Sequence, residues 1–391
     1  MGTRNPLIRN IITPTWVRPD EWLDIPDIIP HDEAVYLLVA VYEKTANLVA
    51  FLCIGNYNVD WGDGNTELVS SGVKAQHDYD SDDLTTTLFR GYKQALIVIT
   101  PATGENLTKV DIQQYHSDTE LEKPSNLLDI VFKIPYVSGT NNLITGGWRA
   151  RHYSIERHDI REIGVLTSGD ALYYHMHSLQ SITPFDTSQI TSAWKMFSVM
   201  YNYTHFDGSV WNFSSLLYAK NMFIYNASLV SIKNVDLSNC TNTNAAFARC
   251  SVLTHLENIT LGSSLDGYSL FAHGFELTNL EIDLNNVVDA RYLLYSTSNL
   301  RRIVFQNCGS ITNAGAFKTS GQLSYAEMHG MRVSFSLASN KMSGPAIDIL
   351  GESVADMTGF TTPSVTLTGN PGVTTMDQSI WLNKNWTIIG V

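Results

Sequence analysis

Hydrophobic and polar positions follow two different rhythms along this chain, with a change near residue 139. From Glu33 to about Val137 the apolar residues fall in short runs rich in β-branched and aromatic side chains: AVYLLVAVY, NLVAFLCI, YNVDW, TELVSSGVKAQHDY, QALIVITP and LLDIVFKIP. Turn residues divide them at Lys44-Thr45-Ala46-Asn47, Gly62-Asp63-Gly64-Asn65, Ser70-Ser71-Gly72 and Pro101-Ala102-Thr103-Gly104. This spacing predicts about six or seven strands, and hence a β-sandwich over residues 32–138.

Beyond residue 139 the rhythm lengthens to about 24 residues. An aromatic marker recurs at Tyr173, Phe197, Phe223, Phe247, Phe271, Tyr295 and Phe317. A second marker, Leu-x-x-(Leu/Ile), keeps the same beat at LQSI from Leu179, LVSI from Leu229, LTHL from Leu253, LTNL from Leu277 and LRRI from Leu300. In the copy after Phe197, Tyr203 and Phe206 stand where the Leu and Ile would be. Two markers on one beat, with Asn and Cys between them, predict a leucine-rich-repeat solenoid over residues 139–360, each copy giving one short strand to a parallel sheet. The longer step from Phe197 to Phe223 predicts a two-residue surface insertion.

The ends differ from both rhythms. Residues 1–31 carry Pro6, Pro14, Pro19, Pro26 and Pro30 among many apolar residues, including Leu7, Ile8, Ile11, Ile12, Trp16, Trp22 and Leu23. Proline density opposes regular structure, while so much apolar surface opposes a free linker. The segment reads as an extended arm that docks on its own domain or on a partner, with Trp16, Pro19, Trp22 and Leu23 as anchoring residues. Residues 361–391 read as a capping unit: a strand, a Gly-Asn-Pro-Gly turn, a helix over 377–383 and a last strand in WTIIGV. The fold class expected is mainly β.

Composition narrows the function classes. Charged residues make up only 16% and the net charge is −13, which opposes the basic face that nucleic-acid binding needs. The longest apolar run has nine residues, AVYLLVAVY, far short of the roughly 20 that span a bilayer. The first sixteen residues lack a signal-peptide pattern, which predicts synthesis in a cytoplasm, where the chain stays unless it is released by lysis or assembled into something larger. Cys53, Cys240, Cys250 and Cys308 have no CxxC spacing and read as buried free thiols, with an oxidised Cys240–Cys250 pair as the alternative. No cofactor is expected.

Candidate chemistry is sparse. Asp60 and Asp63 flank Trp61-Gly62 and could pair, but a hairpin accounts for every residue of the stretch: Asp60 at the strand end, Trp61 inward, Gly62, Asp63 and Gly64 forming the turn. Asp60 and Asp63 are also calcium candidates. Calcium needs roughly six or more oxygens, some of which HDYDSDD from His77 could supply. His152, Glu156, His158 and Asp159 lie close in sequence without an HExxH pattern, and His175 and His177 form a possible metal pair on one strand face. No GxSxG, P-loop or GxGxxG pattern occurs; TGGWRAR lacks the strand–loop–helix context. Eight aromatics crowd into residues 201–225, among them Tyr201, Tyr203 and Trp211, which are candidates for a ligand-facing patch.

Two resemblances attach to these residues. VDWGDG with HDY at His77–Tyr79 resembles the PKD-type, Ig-like β-sandwich, and KMF, NMFIYNASLVSI and VDLSNCTNTNAAFARCSVLTHL resemble the BspA-type leucine-rich repeat. The whole order, with WVRPDEWLDIP from Trp16 at the front and LTGNPG near the end, is similar to virion structural proteins of tailed, cyanophage-like phages. That resemblance implies a non-enzymatic structural role in the virion, as tail fibre, baseplate or capsid-bound accessory protein. Its partners would be other virion proteins and a host surface glycan or receptor, with an oligomeric state in the assembled particle. A cell-surface adhesin or polysaccharide-binding protein is the alternative. A glycan hydrolase is a third class, which would need two carboxylates converging within about 5–10 Å.

Overall fold

The computed structural model describes residues 16–27, 31–43, 46–116, 125–147, 152–262, 268–285, 287–315 and 321–391. The first eight strands are β1 (Ala34–Val41), β2 (Leu48–Ile54), β3 (Tyr57–Asp60), β4 (Thr66–Val69), β5 (Lys74–Asp78), β6 (Lys93–Pro101), β7 (Lys109–Asp111) and β8 (Leu127–Ile134). They form two sheets. One has the order β8-β1-β6-β3-β4 with every neighbour antiparallel, and the other begins β5-β2-β7. Val35, Leu37, Val39 and Val41 on one face of β1 share a core with Val49, Phe51 and Cys53 of β2.

All eight residues of β1 are buried, so its second face needs a cover as well. Residues 16–27 supply it. Trp22 packs with Leu38, Ala40, Tyr92 and Leu128, and Ile25 with Ala34, Tyr36 and Val131. The segment is a strap across the outer face of the larger sheet.

The change of rhythm near residue 139 is not a gap in the structure. β9 (Leu143–Ile144) pairs parallel with β7, and β10 (Arg157–Ile163) pairs parallel with β8. β11 (Ser181–Ile182) then extends β10. Both sheets therefore run on into the repeats, and one apolar core continues from Val35 to Trp386.

The repeats wind as a β-solenoid of about 10 turns with a period of about 24. Its strands are β12 (His205–Asp207), β13 (Ser231–Leu237), β14 (His255–Leu261), β15 (Asn279–Asp283), β16 (Arg302–Gln306), β17 (Tyr325–Met328) and β18 (Phe335–Ser336). β13 to β16 each begin at the third residue of their Leu-x-x-(Leu/Ile) phrase. Phe206 aligns with Ile232, and Ile232 with Leu256, so Phe206 does occupy the missing Ile position.

The aromatic marker is a stack. Rings of Tyr173, Phe197, Phe223, Phe247 and Phe271 follow one another at 5.3, 5.4, 5.6 and 5.5 Å, within 14° of parallel. Tyr295 does not continue it. The N–H of Phe271 bonds Leu293 O, whereas that of Phe247 bonds Leu270 O; by the same offset, Leu294 is the equivalent of Phe271. Leu294 is fully buried and Tyr295 is 39% exposed. The period shortens by one residue there, which turns Tyr295 outward. Phe317 lies outside the described residues, as do Lys44, Thr45 and the WRAR of TGGWRAR.

The extra two residues of the longer step lie between His205 and Tyr218, which stand farther apart in sequence than their equivalents Ser231 and Asn242. They lie at a short helical turn, Gly208–Val210, whose Ser209 and Val210 are exposed, so the insertion is at the surface. Trp211 and Phe213, which follow, are buried and packed as parallel rings with centroids 6.2 Å apart.

The end of the chain closes the core with α1 (Gly344–Ser353), β19 (Ser364–Thr366), α2 (Gln378–Leu382) and β20 (Thr387–Ile389). α2 starts at Asp377, whose side chain accepts from Ser379 N, as the tail sequence predicts. α1 lies outside both repeat rhythms; its signal is Pro345 in the first turn with Ala346, Ile347 and Leu350 inward. Trp381 and Trp386 are buried edge to face at 5.9 Å, covering the last apolar layer.

The junction of the two units buries two imidazoles. His152 bonds Ser125 Oγ at 2.8 Å and Ile112 O at 3.0 Å; His158 lies against Phe132 and Tyr173. Burial holds the His152 ring at about 4 and the His158 ring at about 3, below the roughly 6.5 of an exposed imidazole. Between those values the unfolded chain binds more protons than the folded one. The stability they contribute is complete above about pH 6.5 and is lost as pH falls toward 4 and then 3. Thermal midpoints are expected to be level from pH 8 to 7 and to fall below pH 6.5. A midpoint unchanged down to pH 4 would contradict this.

Candidate functional site

The stretch Tyr57–Glu67 is a hairpin between β3 and β4. Asp60 Oδ1 accepts from Gly62 N at 2.9 Å, and Asp63 Oδ1 from Asn65 N at 3.0 Å. Gly64 has φ +97°, open to glycine at little cost. Gly62 answers a second demand: a Cβ there would stand 2.5 Å from Leu96 O on β6. Trp61 points inward and stacks on His77 at 4.8 Å. His77 Nε2 pairs with Asp63 Oδ2 at 2.6 Å, and Tyr79 Oη donates to Trp61 O at 2.7 Å. The WGDG turn and the HDY strand are thus one interlocked unit.

This geometry accounts for the calcium candidates. Burial pushes the Asp63 carboxyl up, but the Asn65 N–H and the His77 ring outweigh it and hold it below the usual carboxylate range. Asp60 Oδ1 and Asp63 Oδ1 accept from N–H groups of their own turn, and Asp63 Oδ2 is taken by His77. Among the described residues no group of three or more His, Cys, Asp and Glu could hold a metal ion. The His175–His177 pair sits in a turn rather than on a strand, with His175 at φ +66°.

The four anchoring candidates are engaged by the chain itself. Trp22 is 2% exposed and donates from Nε1 to Tyr92 Oη at 3.1 Å. Leu23 N donates to Gln94 Oε1, and Trp16 Nε1 to Glu156 Oε2 at 3.2 Å. Pro19 O accepts from Trp22 N, forming the bend between the two Trp residues. Arg18 reaches the fully buried Asp129 at 2.8 Å, where Arg157 of β10 makes two further bonds at 2.7 and 2.9 Å. Strap, first sheet and first solenoid turn therefore meet at one carboxylate. Residues 1–15 lie outside the described residues.

The three ligand-facing candidates separate. Trp211 is 8% exposed, its ring wedged among Phe185, Phe197, Phe206 and Phe213, so it belongs to the core. Tyr203 packs half-buried against that core, in the place of a repeat Leu. Tyr201 is 40% exposed and lies on a lateral face. There it stacks on His177 at 4.3 Å, and His177 on Tyr153 at 4.1 Å. Tyr225, Arg249, His273 and Phe275 share that face, and sequence clustering in residues 201–225 reached only part of it. The ladder places them together: Val199 N bonds Ile224 O, Tyr225 N bonds Ala248 O and Arg249 N bonds Ala272 O, so equivalent positions stack turn on turn.

Residues 150–259, within the solenoid, match a family described as a Mycoplasma protein of unknown function, DUF285. No curated protein and no solved structure matches the chain. No helix among the described residues is long and apolar enough to cross a membrane.

Proposed function

We propose that this chain is a non-enzymatic structural component of a phage virion: a tail fibre, a baseplate protein or a capsid-bound accessory protein. In this reading the two-sheet unit is a PKD/Ig-like sandwich, and the solenoid is built of BspA-type leucine-rich repeats that offer an interaction or receptor-binding surface. The observation that carries it is the unbroken core. Two sheets that continue into the solenoid, strapped at Asp129, form a stiff body suited to holding a lateral face away from an attachment point. Trp16, Pro19, Trp22 and Leu23 brace that body, so attachment is assigned to residues 1–15, with Leu7, Ile8, Ile11 and Ile12 as its apolar contacts.

Deletion of residues 1–15 tests this. The shortened chain is expected to melt like the full chain and to be missing from purified particles. Normal incorporation sinks the anchoring role, and absence of the full-length chain from particles, by mass spectrometry, sinks the virion reading.

A further inference from the structure

The lateral face carries a recess of about 310 Å³, at the small end of the range for ligand sites. Ala227 and Ser251 form its floor. Tyr201 closes one end and Phe275 the other, while Tyr225 and Arg249 stand along one side. Tyr201 and Phe275 are three turns apart, about 14 Å at the spacing of neighbouring strands. The floor is low because the equivalent of Tyr201 is Ala in the next turn and Ser in the one after, so two rungs lack a ring between two that have one.

The walls are held in place before any ligand arrives. Tyr201 is stacked on the His177–Tyr153 pair, and the Arg249 guanidinium lies 5.0 Å over the Tyr225 ring. Fixed aromatic walls reduce the ordering cost of binding. Arg249 is the permanently charged lining residue, and no carboxylate lines the recess. On a chain of net charge −13, this is a local cationic exception that selects for an anion.

The backbone narrows the ligand class. N–H groups of Tyr225, Arg249 and His273 are bonded to Ala248, Ala272 and Tyr295 of the next turn. An extended peptide finds no open strand edge here, so recognition falls to rings, hydroxyls and the guanidinium. A pyranose offers apolar C–H faces to rings and hydroxyls to Ser and Tyr; a carboxylate on it would answer Arg249.

We propose that this recess binds a short acidic glycan, one or two sugar rings bearing a carboxylate, with Arg249 on the carboxylate and Tyr201, Tyr225 and Phe275 against the ring faces. This deepens the receptor-binding part of the reading above and rests on it.

The test is titration of the purified full chain with digalacturonic acid, with sialyllactose and with neutral lactose, followed by NMR or calorimetry. One acidic sugar is expected to bind at least tenfold more tightly than lactose. Arg249→Gln is expected to lose that preference, and Ala227→Trp, which fills the floor from an exposed position, to lose binding altogether. Circular dichroism and melting of both variants should match the parent. Absence of binding by either acidic sugar at millimolar concentration overturns the proposal, as does binding unchanged in both variants. Binding of an acidic peptide in place of the sugars also overturns it. Particle incorporation of Ala227→Trp separates the two readings: incorporated but non-binding chain supports both, whereas a chain that binds sugar yet is absent from particles leaves the glycan site and removes the virion role.

Discussion

Asp129→Ala is expected to destabilise the chain by about 3–5 kcal/mol, because it removes the shared partner of two largely buried guanidiniums. Asp129 is fully buried, while the Arg18 and Arg157 side chains are 20% and 18% exposed. Neither Arg can turn fully to water, and the two would be left facing each other as like charges. Arg18→Ala should cost less, since Asp129 keeps both bonds from Arg157. The readouts are denaturant unfolding and limited proteolysis. In Asp129→Ala the strap should become cleavable between residues 16 and 27, with a change in Trp22 fluorescence as the ring leaves its site beside Tyr92. An Asp129→Ala chain as stable and as protease-resistant as its parent would show that apolar contacts alone hold the strap. The same network explains why a deletion through residue 31 is a poor test of attachment: it removes Arg18 and Trp22 and disturbs the fold itself.

Phe223→Ala is expected to cost about 3–5 kcal/mol, the range for emptying a buried aromatic site. Phe223 is fully buried between Phe197 and Phe247, with Phe206 edge-on at 4.8 Å. A solenoid turn touches chiefly its neighbours, so a cavity at mid-stack weakens the coupling between the two halves. Unfolding of the variant should become less cooperative, with separate transitions for the turns on either side. Leu294→Ala is expected to cost about 2–5 kcal/mol as the next member of the stack. Tyr295→Ala, on the outward position beside it, should change stability by about 0.5 kcal/mol or less. If Tyr295→Ala proved the more damaging of the two, the phase assigned to this turn would be wrong.

The pair Leu294 and Tyr295 shows where reading by pattern stops. A beat of about 24 residues finds every aromatic of the stack from Tyr173 to Phe271, because the same burial recurs at nearly the same spacing. One shortened turn moves the inward position by a single residue, and an abundant Tyr beside it imitates the marker. The aromatic crowd at residues 201–225 has the same limit. Composition puts Tyr201, Tyr203 and Trp211 on an equal footing, while the solenoid turns Trp211 inward and leaves Tyr201 on the face.

What the chain determined by itself is whatever depends on neighbours in sequence: the hairpin at Asp60–Gly64, the solenoid period, the strands that start within Leu-x-x-(Leu/Ile) and the capped helix at Asp377. Turn chemistry and side-chain periodicity act over a few residues or at one fixed interval, so they can be read directly. Only the tertiary structure decided where the strap lies, which carboxylate joins Arg18 to Arg157, and that Tyr201, Arg249 and Phe275 border one recess. Arg18 meets Asp129 across 111 residues, and no local preference encodes a contact at that separation. It exists because both faces of β1 are apolar and the chain has to cover the second.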